Sequence, residues 1–233
     1  MLDLKILYED KNFLAVNKPA GVLVHPTKIS DEETIVSWLL KNRPEVNGVG
    51  DEPILRPGIV HRLDKGTSGV LLIAKTQKYF EYLKSLFQAH EIKKTYLAVV
   101  YGGVLNDGGR INKPIGLKSG TTKRTVMIKN AKMVKEAVTN YKIKKRVVLD
   151  GSGVEQKYTV LEVSPETGRT HQIRVHLASI GHPVVGDPIY GGKRSKGGGP
   201  LYLHAYAIKF PVSSGQILQI EADPPKWFEA FLK

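Results

Sequence analysis

A chain of 233 residues, 41% of them hydrophobic, is long enough to bury a core and too apolar for disorder to dominate. It has no cysteine, which excludes disulfides and thiolate metal sites. Its net charge of +13 points to a polyanionic partner, and residues 118–146 hold ten Lys or Arg against one acid, Glu136. Asp3 and Lys5 interrupt the N-terminus, and no apolar run approaches the length of a signal core or membrane span, so a cytoplasmic protein is expected.

The elements follow from apolar periodicity and its punctuation. Residues 5–8 and 13–17 predict a hairpin turning at Asp10-Lys11. Ser30 with Glu33 fits a capping box for a helix whose apolar face is Ile35, Trp38, Leu39 and Leu40, stopping before Pro44. A Gly/Pro-rich loop over 44–57 leads to an apolar strand at 70–74. Phe80, Leu83 and Phe87 recur at helical spacing over 77–88 and read as core. Strands are predicted over 92–101, 138–148, 156–163, 201–210 and 217–222. Thr170 is expected to cap a helix over 171–180, with Gly181 left-handed at its end, and a short helix over 227–233 closes the chain. Residues 191–200, GGKRSKGGGP, read as a mobile loop. Strands outnumber helices and several are hairpin-like. The expected class is therefore α+β, one domain over 1–233 on a mostly antiparallel sheet.

Residues 58–75, GIVHRLDKGTSGVLLIAK, place Asp64 between two apolar runs with Arg62 and Lys65 beside it. Flanking cations keep a carboxylate ionised, and an ionised carboxylate on a rigid loop is a candidate nucleophile or base. Gly66 and Gly69 allow a sharp turn and close approach of a ligand. Taken alone, the segment reads better as a solvated turn. His171 and His176 are poor metal partners, and no His-Glu-x-x-His occurs, so no metal is expected.

The neighbouring segments change that balance. HRLDKGTSG with its apolar strand, residues 167–192 (TGRTHQIRVHLASIGHPVVGDPIYGG) and residues 93–102 (KKTYLAVVYG) together resemble, in order and spacing, the signatures of the RluA family of pseudouridine synthases. The resemblance runs from about residue 6 to the C-terminus and is weakest over 118–150. It implies an α+β pseudouridine-synthase-like domain, with a bent, mostly antiparallel central sheet, flanking helices and a central cleft. It also implies isomerisation of uridine in structured RNA, ribosomal or transfer, without a cofactor. The polyanion becomes RNA, with 118–150 as a basic, variable RNA-contacting segment. The chain begins almost at the first catalytic-domain strand, so no S4-type domain is expected, and neither is an oligomer.

Pseudouridine formation breaks the N1–C1′ bond, turns the uracil and joins C5 to C1′. It needs an anion near C1′, a hold on the detached base and a base for the C5 proton. The family's catalytic aspartate carries over onto Asp64, its site tyrosine onto Tyr96 and its cleft arginine onto Arg174. Whether Asp64 attacks C1′, attacks the ring or removes a sugar proton stays open. The resemblance implies that Tyr96 packs on the uracil and assists C5 deprotonation, and that Arg174 pairs with Asp64. Ile173 or Val175 is expected to wall the base, with Arg169 and His61 at the same site, although His61 reads as structural rather than as an acid or base. Arg62 is expected to fill the space of a flipped-out base or to grip the adjacent phosphate. Backbone contacts fall to Lys123, Arg124, Lys142, Lys144, Lys145 and Arg146, with Lys193, Arg194 and Lys196 as further candidates. A silent RNA binder and a hydrolytic glycosidase are the weaker readings. The first is disfavoured because Asp64, Tyr96 and Arg174 are all present. The second needs two carboxylates, and the only further acids at the signature segments are Glu166 and Asp187, of which Asp187, between Gly186 and Pro188, reads as a turn residue.

Overall fold

The computed structural model describes residues 2–26, 32–151, 154–195 and 198–233. In chain order the elements are β1 (Lys5–Glu9), β2 (Phe13–Lys18), α1 (Ile35–Asn42), β3 (Ser68–Ala74), α2 (Gln77–Gln88), β4 (Lys93–Tyr101), β5 (Gly108–Asn112) and β6 (Ile115–Lys118). They continue with β7 (Arg124–Thr125), β8 (Ala131–Lys135), β9 (Val138–Gly151), β10 (Val154–Pro165), α3 (Gln172–Ser179), β11 (Leu203–Pro211), β12 (Ile217–Glu221) and α4 (Glu229–Leu232). The class is α+β with a mostly antiparallel sheet, as expected. The chain forms two compact units, Met1–Lys94 with Ala205–Pro224, and Thr95–His204 with Pro225–Lys233. No helix of the described residues is long and apolar enough to cross a membrane.

In the first unit, β1 pairs with β2, β2 with β3 and β11 with β12, all antiparallel. The Asp10 carboxylate accepts from the backbone N–H of Asn12 (2.7 Å) and Phe13 (2.9 Å), which fixes the hairpin turn. Every residue of β3 is buried, as its unbroken apolar run requires. Phe13, Leu72, Phe80, Leu83 and Phe210 share one core, each contributing about 1.5–3 kcal/mol of burial. Helix α2 keeps its predicted bounds because Thr76 caps it, accepting from Tyr79 N–H. Helix α1 starts later than expected. Its cap is Thr34, in a reciprocal box with Ser37, while Ser30 lies outside the described residues. Gly69 (φ +113°) has no room for a side chain, since a methyl group there would collide with the Ala205 carbonyl.

In the second unit the strand order is β4-β10-β9-β5, antiparallel throughout. Helix α3 packs Ile173 and Leu177, one turn apart, with Ala98, Val100, Leu161 and Val163 of β4 and β10. Residues 115–135, which overlap the basic region, fold into a second antiparallel sheet in the order β7-β6-β8, which the sequence reading missed. The α3 cap also differs from expectation. His171, not Thr170, precedes the first helical residue, with φ at +57°, and no side chain caps the end. Gly181 is left-handed (φ +85°) as predicted.

Candidate active site

Asp64 lies in the loop that feeds β3. The Thr67 N–H donates to the Asp64 carbonyl (3.0 Å), closing a four-residue turn under the side chain. The loop is tied to the end of β2, because the β2–β3 register sets Lys18 opposite Gly69. The Gly21 N–H donates to the Lys65 carbonyl (2.8 Å). The fully buried Lys18 ammonium donates to the carbonyls of Val22 (2.7 Å), Pro19 (2.9 Å) and Lys65 (3.2 Å). Burial pushes Lys18 down to about 7, against the pull of the Asp64 charge. Sequence reasoning passed over Lys18, although a lysine closing the apolar run Phe13-Leu14-Ala15-Val16 before Pro19 was a visible signal.

His61 is a structural residue, as the sequence suggested. Its Nε2 accepts from the Leu72 N–H (3.0 Å), so the neutral ring carries its proton on Nδ1. Burial, helped by the charge of Lys94, pushes it down to about 3. The ring packs on Phe87 with centroids 4.8 Å apart. Arg62 is exposed, two residues before Asp64.

Tyr96 and Arg174 belong to the second unit. Tyr96 is half-buried on β4, opposite Val163 of β10, beside the core that seats α3. Arg174 is 5% exposed and grips Asp187 with two parallel bonds, Nε to Oδ2 at 2.7 Å and Nη2 to Oδ1 at 2.9 Å. Asp187 also accepts from the N–H groups of Ile189 (2.8 Å) and Tyr190 (3.0 Å). Burial alone would raise its carboxyl, but the Arg174 bonds and charge, with these two N–H groups, hold it below the usual range. Asp187 is therefore a turn residue and, beyond that, the anchor of Arg174. The Tyr190 ring lies 5.4 Å from the Arg174 guanidinium. Its hydroxyl accepts from the Arg124 N–H (3.1 Å) and contacts His171 Nδ1 (3.0 Å). No residue spacing announced this network, whose members come from β7, α3 and the 187–190 turn.

A family model for RNA pseudouridylate synthase matches residues 12–179. The chain belongs to that family. An RNA pseudouridine synthase of Synechocystis, named as uncharacterized, is 37% identical over 99% of this chain and 68% of its own length. The ribosomal large subunit pseudouridine synthase D of Pseudomonas aeruginosa is 40% identical over 82% of this chain and 55% of its own length. Among solved structures, human RNA pseudouridylate synthase domain containing 1 superposes with a TM-score of 0.78 at 26% identity, covering 99% of this chain and 86% of that one. The protein is thus an isomerase that acts on uridine in RNA.

The remaining residues considered for this pseudouridine synthase divide by environment. Ile173 and Val175 are buried, the first in the α3 core and the second with Ile115 and Ala137. Arg169 donates from Nε to the Glu136 carbonyl (3.0 Å). Arg146 is turned onto its own chain, donating to the carbonyls of Val104 and Leu105 and to Asp107 (2.9 Å), and Lys144 pairs with Glu162 at 3.5 Å. The four cations of this run therefore have unequal intramolecular partners. Lys123 and Lys142 are exposed, while Lys145 and Arg124 are half-buried. Lys193 is exposed, and residues 192–195 form one 3-10 turn; Lys196 lies outside the described residues.

Proposed function

We propose that the protein isomerises uridine in large-subunit ribosomal RNA, using Asp64, Tyr96 and Arg174 on one target nucleotide. Residues 1–233 act as a single catalytic domain, as a cytoplasmic monomer. Asp64 is the anion that attacks the sugar or ring, or removes a sugar proton. Tyr96 packs on the uracil and helps to take the C5 proton to water. Arg174 pairs with Asp64. Asp187 uses two of the five guanidinium donors, and the proposal assigns the others to Asp64. Arg62, exposed beside Asp64, fills the place of the flipped-out base or grips the next phosphate.

The observation that carries this reading is the mounting of Asp64. Its loop is pinned by the 64–67 turn and by the Lys18 clamp on Lys65, which suits a group that must hold its place against a moving base. The ribosomal target rests on the name of the Pseudomonas relative. Transcripts of unmodified large-subunit ribosomal RNA and tRNA, tritiated at uracil C5, test it. The expected result is tritium released to water from the ribosomal transcript without free uracil. Release from tRNA alone would move the substrate to tRNA, and free uracil would make the protein a hydrolase.

A further inference from the structure

The geometry points to a built phosphate site beside the proposed active site, which takes one phosphodiester of the RNA strand on Arg124, Lys135 and Arg169. The assignment rests on the chain acting on RNA. A cavity of about 210 Å³ is lined by these three cations, by Gly168 and Thr170, and by the apolar Ile115 and Met133. No carboxylate lines it among the described residues.

Register explains why cations far apart in sequence meet there. In the β7-β6-β8 sheet, Lys135 pairs with Ile115 and Arg124 with Leu117. Ile115 and Leu117 lie two apart on β6 and share a face, so their partners flank that face from both sides. Arg169 approaches from the loop before α3, its guanidinium aimed by the bond from Nε to the Glu136 carbonyl. Arg124 is anchored independently, through its backbone N–H on the Tyr190 hydroxyl.

The second observation is an unsatisfied donor. The Arg124 Nε is buried and has no hydrogen-bond acceptor among the described residues. A buried N–H left unmet costs about 1–3 kcal/mol, and an anionic oxygen is the acceptor that suits a guanidinium best. A phosphodiester supplies that oxygen together with the charge that three cations around one cavity demand. A small anion alone would not explain the position, since Thr170 lies only four residues before Arg174. The cavity thus lies at the N-terminal approach to α3, the helix that carries Arg174. The site would therefore hold the backbone next to the target uridine. Recognition of this kind sets register on the RNA and carries no base information.

The test is the salt dependence of RNA binding, measured with large-subunit ribosomal RNA and tRNA transcripts in a chloride series. Wild type is compared with Arg124→Ala, Lys135→Gln and Lys11→Ala, the last an exposed lysine on the β1–β2 turn. The plot of log affinity against log salt is expected to become shallower by about 0.7 for each lost contact in the first two variants and to stay unchanged in the third. Arg124→Lys should restore the slope, which a folding defect would not. Slopes equal to wild type in both pocket variants, or an equal loss in all three, would overturn the site. Tritium release is read on the same samples. Release with unchanged slopes removes the phosphate site alone. Selective slope loss without release by wild type upholds the site and removes these two transcripts as the substrate.

Discussion

Asp64 stands on a loop restrained by main-chain bonds and one lysine, whereas Arg174 stands on a helix buried on every side. Around Asp64 the restraints come from nearby sequence or from the adjacent strand: the 64–67 turn, the Gly21–Lys65 bond and the Lys18 clamp. Around Arg174 they are side-chain bonds between distant segments. Asp187 takes the guanidinium, Gln172 donates to the Val138 carbonyl (2.9 Å) and Thr139, and His176 bonds Thr139 and the Lys113 carbonyl (both 2.9 Å). The difference teaches where each group's precision resides. The carboxylate depends on backbone shape, and the guanidinium depends on a buried polar network in which every member counts.

The largest break in this contrast comes from Asp187→Asn. It takes the charge from the Asp187 side of a buried ion pair with Arg174 and should destabilise the protein by about 3–5 kcal/mol in urea unfolding. Hydrogen exchange should quicken along α3. An unfolding midpoint like that of wild type would show that the pair holds little.

Lys18→Met acts on the other region. The carbonyls of Pro19, Val22 and Lys65 lose their donor, and the expected cost is about 2–3 kcal/mol. Exchange should quicken at the amides of Gly21 and Thr67 and stay unchanged over residues 173–177. Spread of the effect into α3 would erase the distinction between the two regions.

A pH titration sharpens the comparison without disturbing it. The unfolded chain protonates His61 near 6.5, but the folded chain excludes that proton until about 3. The unfolded state therefore binds more protons between these values, so stability is fully present above 6.5 and lost as pH falls towards 3. His61→Gln keeps an acceptor for the Leu72 N–H and should flatten that part of the curve. Parallel curves for wild type and variant would contradict the assignment.

Tyr190→Phe should give the smallest effect, about 1 kcal/mol, by removing the acceptor for the Arg124 N–H and the contact with His171. The ring would still face Arg174, so activity should fall less than affinity for RNA. Loss of activity at unchanged affinity would shift the role of Tyr190 from docking to chemistry.

The same contrast governs what the sequence revealed. Local features were legible. The α2 bounds followed from the spacing of Phe80, Leu83 and Phe87, the β1–β2 turn from Asp10, and Asp64 from a contiguous motif. Features made by distant pairing were not. Asp187 looked like a turn residue because its bonds to Ile189 and Tyr190 are local, while its pairing with Arg174 spans a helix and a loop. The β7-β6-β8 sheet escaped because lysines hide strand alternation in short segments. The α3 start was misplaced because Thr170 has the chemistry of a cap, yet the chain enters the helix through a left-handed His171. The contact of Gly69 with β11 was not legible either, because nothing local shows that β11 passes against it.

The most direct test of the account is single-turnover conversion of a bound RNA by wild type and by Asp64→Asn. The account predicts that both bind with the same affinity, that wild type converts uridine to pseudouridine, and that the variant converts none. Conversion by Asp64→Asn at the wild-type rate would contradict it, because no other carboxylate has been assigned the work of Asp64.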